Sequence, residues 1–392
     1  MKRRHSITAF IGLALMGLLG CQDGGDANSR GTGGDAKGER TEIVIGHYAS
    51  MTGSEATYGQ STDNGIQLAI AERNAAGGVR QLPVKLITHD DAGKIQEAVT
   101  VVNRLIQQDK VDAVLGEVAS SRSLAGAPIC QRNGMPMISP SSTNEDVTAV
   151  GDMIFRVCFI DSFQGLVGAK FARENLKLTK GAVLFNRAQA YSSGLKENFV
   201  GAFKSLGGQL VAEEAYGDGD NDFSAQLTAI RDAKPEFIYV PGYYTEVVNI
   251  ARQARQLGIK VPLIGGDGWD SEELKNAGDA LNGCYFSNHY SHEDTRPEVQ
   301  EFITKYKAAY GGKVPDGLAA LGYDAARLLF DAMERAESLS GADIAKAIAE
   351  TQDFAGVTGK ISIDAQRNPK KDAVMLEVVD GTTKYVATVS PE

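Results

Sequence analysis

Short apolar runs alternate with longer amphipathic stretches from residue 42 onward, and this pattern predicts alternating strands and helices. The first runs of strand length are Glu42–His47, Val84–Thr88 and Val111–Leu115, and the stretches that follow them are Gln60–Ala75, Lys94–Gln107 and Ser123–Arg132. Connections of this length join parallel strands by right-handed crossovers. We therefore predict a mainly parallel α/β sheet with helices on both faces.

The same rhythm begins again after the apolar run Met153–Phe159, which predicts a second doubly wound α/β lobe. Three late helices, about Pro297–Tyr310, Asp316–Ala336 and Gly341–Glu350, and a strand-rich hairpin, Gly359–Val389, complete the pattern. We assign residues 41–160 and 290–365 to lobe 1 and residues 161–289 and 366–392 to lobe 2. Three hinge crossings are expected, near Cys158–Asp161, Ser287–Tyr290 and Gly359–Lys371.

The first 40 residues differ from the rest of the chain. Residues 1–20 carry Lys2, Arg3 and Arg4 before an apolar run, Ile7–Leu19, which is typical of an export signal. The following Cys21, within Leu-Leu-Gly-Cys, predicts a lipoprotein anchored through this cysteine, and the glycine-rich residues 21–40 predict a flexible tether. The sequence thus favours a lipid-anchored protein of the periplasm or cell envelope.

Charge and cysteine content narrow the class of protein further. The net charge of −10 becomes −13 without residues 1–20, whose three basic residues are balanced by no acid, and this argues against a nucleic-acid partner. Beyond Cys21 the cysteines are Cys130, Cys158 and Cys284, which allow at most one internal disulfide among three possible pairings. Buried free thiols are the default interpretation, and the pairings stay open.

Two hydroxyl-rich loops follow neighbouring predicted strands. Ser120, Ser121 and Ser123 come after Val111–Leu115, and Ser139, Ser141, Ser142 and Thr143 come after Pro136–Ile138. In a parallel sheet both loops emerge at the carboxyl ends of the strands, where open α/β sheets bind ligands. Hydroxyls and helix-start N–H groups there suit a small carboxylate. The alternative is that these residues only cap helices.

The other loops predicted at strand ends carry aromatic and acidic side chains. Tyr58, Tyr191 and Tyr243 belong to three such loops, and Asp267 follows the apolar strand Pro262–Gly265. Together they predict a cleft between the lobes with aromatic walls and one acid. Each tyrosine alone is more often ordinary loop packing than a ligand contact. The alternative for Asp267 is a helix cap, although Asp270 and Ser271 are better placed as caps.

These features resemble the periplasmic branched-chain amino-acid-binding family of ABC importers. The resemblance rests on the order of VIGHYASMTGSEATYG, GVRQLPVKLITHDD, VLGEVASSRS, MPMISPSST and IFRVCFIDSFQG, and it extends over nearly all of residues 41–390. It implies a type I periplasmic binding fold with two closing lobes. It also implies a monomer that delivers an uncharged, aliphatic amino acid to an inner-membrane permease.

The resemblance also implies residue roles. The ligand carboxylate would meet Ser120, Ser142 and Thr143, with Ser141 contributing its backbone, and the ammonium would meet Asp267, a shorter acid than the family's usual Glu. Tyr58, Tyr191 and Tyr243 would form the walls. The cysteines of the archetype's disulfide fall at Gly93 and Ala119, so that bond is absent here.

Other functional classes find less support in the sequence. We find no nucleophile elbow, phosphate-binding loop or dinucleotide fingerprint, and the histidines His47, His89, His289 and His292 show no metal-ligand spacing, so neither an enzyme nor a cofactor is predicted. A sensor of the same fold remains the alternative to a transport protein. Glu117 and Arg122 are predicted to face solvent at a loop edge; the alternative is contact with a polar ligand side chain.

Overall fold

Two separate β-sheets organise the protein. The computed structural model describes residues 40–391 and contains a five-stranded sheet, a seven-stranded sheet and a small two-stranded sheet. The five-stranded sheet has the order β2-β1-β3-β4-β5, and the seven-stranded sheet has the order β14-β13-β10-β9-β8-β6-β7. Both large sheets are built mainly from parallel strands joined by helices, which confirms the predicted α/β class.

The strands of the five-stranded sheet are all parallel. They are β1 (Ile43–Ala49), β2 (Val84–Asp90), β3 (Ala113–Leu115), β4 (Met137–Ser139) and β5 (Ile154–Arg156). Its helices are α1 (Ala56–Ala75), α2 (Ile95–Gln107), α3 (Ser120–Arg132), α4 (Asp146–Ala149), α9 (Pro297–Ala309), α10 (Gly317–Arg335) and α11 (Gly341–Ala349). We call this sheet and its helices the five-stranded half.

The seven-stranded sheet adds two antiparallel strands at one edge. Its strands are β6 (Lys180–Asn186), β7 (Gln209–Tyr216), β8 (Phe237–Val240), β9 (Leu263–Gly265), β10 (Cys284–Asn288), β13 (Ala373–Val379) and β14 (Thr382–Val389). Its helices are α5 (Asp161–Lys170, continued by a π turn, Phe171–Asn175), α6 (Ala190–Ser205), α7 (Ser224–Asp232) and α8 (Tyr244–Gln256), with 3-10 segments Asp267–Trp269 and Glu272–Leu281. This is the seven-stranded half.

The late helices return to the five-stranded half, where α10 packs along α1. Glycines allow this close approach, because a Cβ at Gly65 would lie 2.0 Å from the carbonyl oxygen of Ala319 and one at Gly322 would lie 2.4 Å from that of Thr62. The chain therefore passes between the two sheets after β5, after β10 and before β13. The lobe boundaries and hinge positions given above stay predictions.

The structure corrects the expectation for the end of the chain and agrees with the one for the cysteines. The hairpin Gly359–Val389 is wrong as a single unit, because β12 (Gly359–Ile361) pairs with β11 (Phe354–Gly356) in the two-stranded sheet and only β13 and β14 form the hairpin. Pro369, which lacks an N–H, lies between β12 and β13 and breaks strand continuity there. Cys130, Cys158 and Cys284 are buried free thiols.

The predicted signal peptide, Cys21 and nearly all of the predicted tether lie outside the described residues. Within residues 40–391, no helix combines the length and apolar character that a membrane crossing requires. Within the same range, no cluster of three or more His, Cys, Asp or Glu side chains is arranged to hold a metal ion.

Candidate functional site

Asp267 lies at the centre of a buried polar cluster between the two halves. It lies two residues after the end of β9, and the residue is only 5% exposed. Its Oδ1 accepts hydrogen bonds from Gln164 Nε2 at 2.8 Å and from the Tyr191 hydroxyl at 2.9 Å, and its Oδ2 accepts one from the Ser141 hydroxyl at 3.4 Å. Oδ2 also lies 3.0 Å from His289 Nε2. The acid predicted from the sequence is thus buried and held by side chains from both halves.

Glycines around Asp267 make room for this cluster. A Cβ at Gly266 would lie 2.5 Å from the Tyr191 hydroxyl, and one at Gly268 would lie 2.9 Å from Tyr243 Cδ1. Because any larger residue would displace these rings, the glycine-rich sequence around Asp267 is what lets the tyrosines reach it.

His289 completes the surroundings of Asp267 without adding a formal charge. Its ring is 3% exposed and stacks on Phe159 with the centroids 3.6 Å apart and the planes inclined by 25°. Burial lowers the pKa of His289, and this outweighs the hydrogen bond and charge of Asp267, which act in the opposite direction. The neutral imidazole therefore presents Nε2–H to the carboxylate near pH 7. The Asp267 side chain accordingly carries a buried negative charge met by neutral donors.

The predicted aromatic residues form a continuous wall. Tyr191 stacks on Tyr243 at 5.2 Å with an interplanar angle of 10°, and Tyr58 meets Tyr243 edge-on at 5.5 Å. The hydroxyl of Tyr58, which lies in the first turn of α1, donates to the carbonyl oxygen of Gly268. This bond connects the five-stranded half to the seven-stranded half beside Asp267.

The two serine loops are brought together, but their hydroxyls differ in what they contact. Ser141 reaches Asp267, whereas the Ser142 hydroxyl lies 3.0 Å from the Glu117 carbonyl oxygen, 2.9 Å from that of Val118 and 2.7 Å from the Ser123 hydroxyl. Ser142 therefore ties one loop to the other in this structure. Its predicted contact with a ligand carboxylate stays a prediction.

Ser120 and Thr143 lie in the same pair of loops. The Ser120 hydroxyl accepts a hydrogen bond from Asn144 N at 3.3 Å, and the buried Thr143 accepts one from Asp161 N on its carbonyl oxygen at 2.9 Å. Helix α3 begins at Ser120, and its N-cap residue, Ala119, offers no side-chain cap. Since first-turn N–H groups need an acceptor, this helix start suits a carboxylate.

Glu117 and Arg122 do not face solvent, so that prediction is wrong. They are 1% and 5% exposed, and Arg122 Nε lies 3.0 Å from Glu117 Oε1. Arg122 also forms an ion pair with Glu55 and donates to the Gly93 carbonyl oxygen at 3.2 Å. Glu117 further accepts hydrogen bonds from the Ser50 N–H and hydroxyl at 3.1 and 2.7 Å. These charges are buried because they satisfy one another and the surrounding backbone.

Sequence reasoning missed Gln164 and His289 as members of the cluster. Gln164 lies on α5 within a motif that supports the family resemblance, and His289 lies in a predicted hinge segment. Both are buried polar residues, but nothing in their local sequence distinguishes them from other amides and histidines. Their positions follow from the packing of β9, β10 and α5, which brings together residues more than 100 positions apart.

The fold and this cluster define a class of protein. Two α/β halves meet around a buried acid, aromatic rings and an uncapped helix start, an arrangement suited to holding a small ligand between them. The chain matches the periplasmic binding protein family over residues 42–383. It therefore belongs to that family, whose members are solute-binding proteins.

Individual relatives agree with this family. The chain is 31% identical to Leu/Ile/Val-binding protein homolog 2 of Brucella abortus over 331 residues, which is 84% of this chain and 88% of the relative. A leucine-binding protein from Thermotoga maritima is 40% identical, with a TM-score of 0.86 over 89% of this chain and 99% of that chain. A branched-chain amino acid transporter substrate-binding protein from Streptococcus pneumoniae, solved with isoleucine, is 34% identical, with a TM-score of 0.84 over 89% of this chain and all (100%) of that chain.

Proposed function

We propose that this protein captures a small neutral amino acid between its two halves and delivers it to the permease of an ABC importer. The observation that carries the proposal is the buried carboxylate of Asp267. The basic side chain that contacts it among the described residues is His289, which burial keeps neutral. A buried carboxylate without a cation is costly, and the α-ammonium of an amino acid supplies that cation. The leucine-binding protein and the protein solved with isoleucine, both described above, support the same class of ligand.

The rest of the zwitterion has matching partners. The helix start at Ser120 offers N–H groups to the α-carboxylate, and the loops of Ser142 and Thr143 lie beside it. Tyr58, Tyr191 and Tyr243 pack against one another and place aromatic surface beside Asp267. An uncharged, aliphatic side chain fits such walls better than a charged one, and we propose leucine, isoleucine or valine as the ligand.

We propose that the two halves correspond to closing lobes. Residues 41–160 and 290–365 would move against residues 161–289 and 366–392 about the connections between the sheets, and the closed form would be recognised by the permease. The protein would act as a monomer and not as an enzyme. A sensor that reports the same ligand to a membrane partner is the alternative role.

Thermal-shift measurements with each of the twenty amino acids test the ligand class. A ligand present at about 100 times its dissociation constant adds about 2.7 kcal/mol to the stability, so leucine, isoleucine and valine should raise the melting temperature clearly. Benzoate and 4-hydroxybenzoate serve as comparison ligands, because tyrosine walls also suit aromatic acids. Stabilisation by benzoates and by no amino acid would overturn the proposed ligand.

We also propose that Cys21 is lipidated after removal of residues 1–20. Replacing Cys21 with serine should move the protein from the membrane fraction to the soluble fraction, because serine offers no thiol for the lipid. The affinity for the amino acid should stay unchanged, since the predicted flexible tether separates residue 21 from the folded part. Fractionation with a Cys284→Ser variant is the control, and a Cys21→Ser protein that remains with membranes would contradict lipidation.

A further inference from the structure

A cavity lies between the halves, and Asp267 does not line it. Its volume is about 430 Å³, and its walls come from α1, from the start of α10, from the loop after Asp270 and from the strands β13 and β14. None of the residues predicted to bind the amino acid lines it. The cavity therefore belongs to neither the tyrosine wall nor the serine loops.

Two carboxylates from different halves meet at this cavity. Asp270, in the seven-stranded half, accepts hydrogen bonds on Oδ2 from Asn288 Nδ2 at 2.8 Å and from Gly317 N at 2.7 Å. Asp316, the N-cap of α10 in the five-stranded half, accepts a hydrogen bond from Ala319 N at 2.8 Å and one from the Ser61 hydroxyl. Both acids thus cap one helix start, with their carboxylates next to each other.

The acids lack a counter-charge of comparable burial. Burial, and then the charge of the neighbouring Asp270, raise the pKa of Asp316 to about 7, and burial likewise raises the pKa of Asp270. Other charged residues on the walls are Glu272 and Lys313, both outside the buried group, so the lining carries more acid than base. A cation placed between the two carboxylates would relieve their repulsion.

A buried hydroxyl provides an independent sign of a ligand. Tyr290 is 5% exposed and lines the same cavity, yet its hydroxyl has no hydrogen-bond partner among the described residues. Burial, and then the charges of Asp270, Asp316 and Asp294, raise the pKa of Tyr290. Because an unpaired buried hydroxyl is unfavourable, this group is suited to bond an occupant of the cavity.

We infer that this cavity is a second binding site, for a small organic ammonium compound held between Asp270 and Asp316 with Tyr290 as a further hydrogen-bond partner. The apolar side chains of Val314, Leu376 and Val378 line the cavity beside the acids and suit an alkyl chain. The site does not depend on the proposed amino-acid ligand.

The test uses 1,4-diaminobutane as probe and 1,4-butanediol as its uncharged match. Titration calorimetry of the folded protein should detect binding of the diamine and none of the diol. Asp316→Asn keeps an oxygen to cap α10 but loses the charge, and it should weaken diamine binding at least tenfold. Asp267→Asn should leave diamine binding unchanged even if it abolishes amino-acid binding, so the two sites fail separately.

Tyr290→Phe provides a second variant if Asp316→Asn does not fold, and it should weaken binding of the diamine severalfold. Equal binding of diamine and diol would overturn the site. So would wild-type diamine affinity in both Asp316→Asn and Tyr290→Phe. A response to potassium or magnesium chloride at matched ionic strength equal to that of the diamine would also overturn it, because it would indicate general screening.

Discussion

The residue that decides the chemistry of the cleft is Asp267, and its partners set how its charge is used. Gln164, Tyr191 and Ser141 donate hydrogen bonds, and His289 lies against Oδ2 as a neutral ring. Neutral donors stabilise the carboxylate without cancelling its charge. Such surroundings would suit the cationic group of the proposed ligand.

His289 gives the protein a pH dependence that can be measured. Burial lowers the pKa of His289 in the folded protein, so the imidazole of the unfolded chain is protonated first as the pH falls through about 6.5. The free energy of unfolding therefore decreases as the pH falls. His289→Gln keeps a donor for Asp267 and removes this loss. Wild type should therefore lose stability relative to the variant by at most about 1.4 kcal/mol per pH unit below pH 6.5.

Urea unfolding at pH 7.5, 6.5 and 5.5 measures this difference. His292→Gln, at a half-buried histidine away from Asp267, is the control. A constant stability difference between wild type and His289→Gln over this range would show that His289 is not held neutral by the fold.

For Asp91 we expect a pH dependence of folding stability opposite to that of His289. Asp91 is fully buried and accepts hydrogen bonds from the Ser50 hydroxyl at 3.1 Å and from Gly93 N at 2.9 Å. Burial, and then the charge of Glu117, raise its pKa to about 7. Because the folded protein binds this proton more tightly than the unfolded chain, stability from Asp91 is lost as the pH rises from about 4 to 7.

Asp91→Asn keeps the acceptor oxygen and should therefore gain stability relative to wild type as the pH rises through this window. Asp90→Asn is the matched control, since the pKa of this exposed neighbour is lowered: slight desolvation is outweighed by hydrogen bonds from Thr52, Ala92 and Met51. Its stabilising effect is lost as the pH falls instead. Thermal melts from pH 4.5 to 7.5 should show a growing gain for Asp91→Asn and a nearly constant difference from wild type for Asp90→Asn, whose own loss begins only below about pH 4. A constant difference for Asp91→Asn over this range would contradict the raised pKa of Asp91.

The sequence predicted some members of the cleft and missed others for a physical reason. Asp267 and Tyr191 follow apolar strands, so the geometry of a parallel sheet places them at one edge. Gln164 and His289 reach the same point through packing between distant elements, which leaves no local pattern. Glu117 and Arg122 were placed in solvent because single charges usually are, whereas here ion pairing permits burial.

At the scale of elements, the start of helix α1 matters most. The sequence predicted a helix from Gln60, but α1 begins at Ala56 and so carries Tyr58 in its first turn. There the ring packs edge-on against Tyr243 and Tyr244, with centroids 5.5 and 5.0 Å apart. Tertiary contacts across the cleft extend the helix beyond what local preference indicates.

Tyr58→Phe tests the contribution of this element to closure. It removes the hydroxyl that bonds Gly268 across the halves while keeping the ring. Loss of a hydrogen bond of about 1 kcal/mol from the closed form should weaken leucine binding about fivefold. Tyr310→Phe removes a comparable bond, 2.7 Å long to the Asn64 carbonyl oxygen within one half, and should leave affinity unchanged. Equal affinities of the two variants in calorimetry would contradict the role of Tyr58.

Pairing of the late strands shows the limit of element prediction. The run Gly359–Val389 has strand character throughout, but the partner of β12 is β11, a segment with only three paired residues. Such short antiparallel pairing is decided by register and by the break at Pro369 rather than by composition. The parallel strands were predictable because helices of regular length separate them.

At the scale of the whole molecule, the contacts across the cleft join the halves near Asp267. Ala190 N bonds the Ser121 hydroxyl at 2.9 Å, and the Tyr244 hydroxyl bonds the Ser54 carbonyl oxygen at 2.8 Å. These bonds, with that of Tyr58, surround the buried acid with elements of both sheets. A ligand ammonium at Asp267 and a carboxylate at α3 would add to them, because each end of the zwitterion touches a different half.

Calorimetric titration of leucine into wild type and Asp267→Asn tests this account most directly. Leaving a buried cation unpaired costs about 3–5 kcal/mol, so the variant should bind leucine at least a hundredfold more weakly. Asp222→Asn, at an exposed acid of the seven-stranded half, should bind as wild type does. The melting temperature without ligand should change little, since asparagine fits the same space. Wild-type affinity for leucine in Asp267→Asn would remove this residue from the site and contradict the proposed recognition of the amino acid.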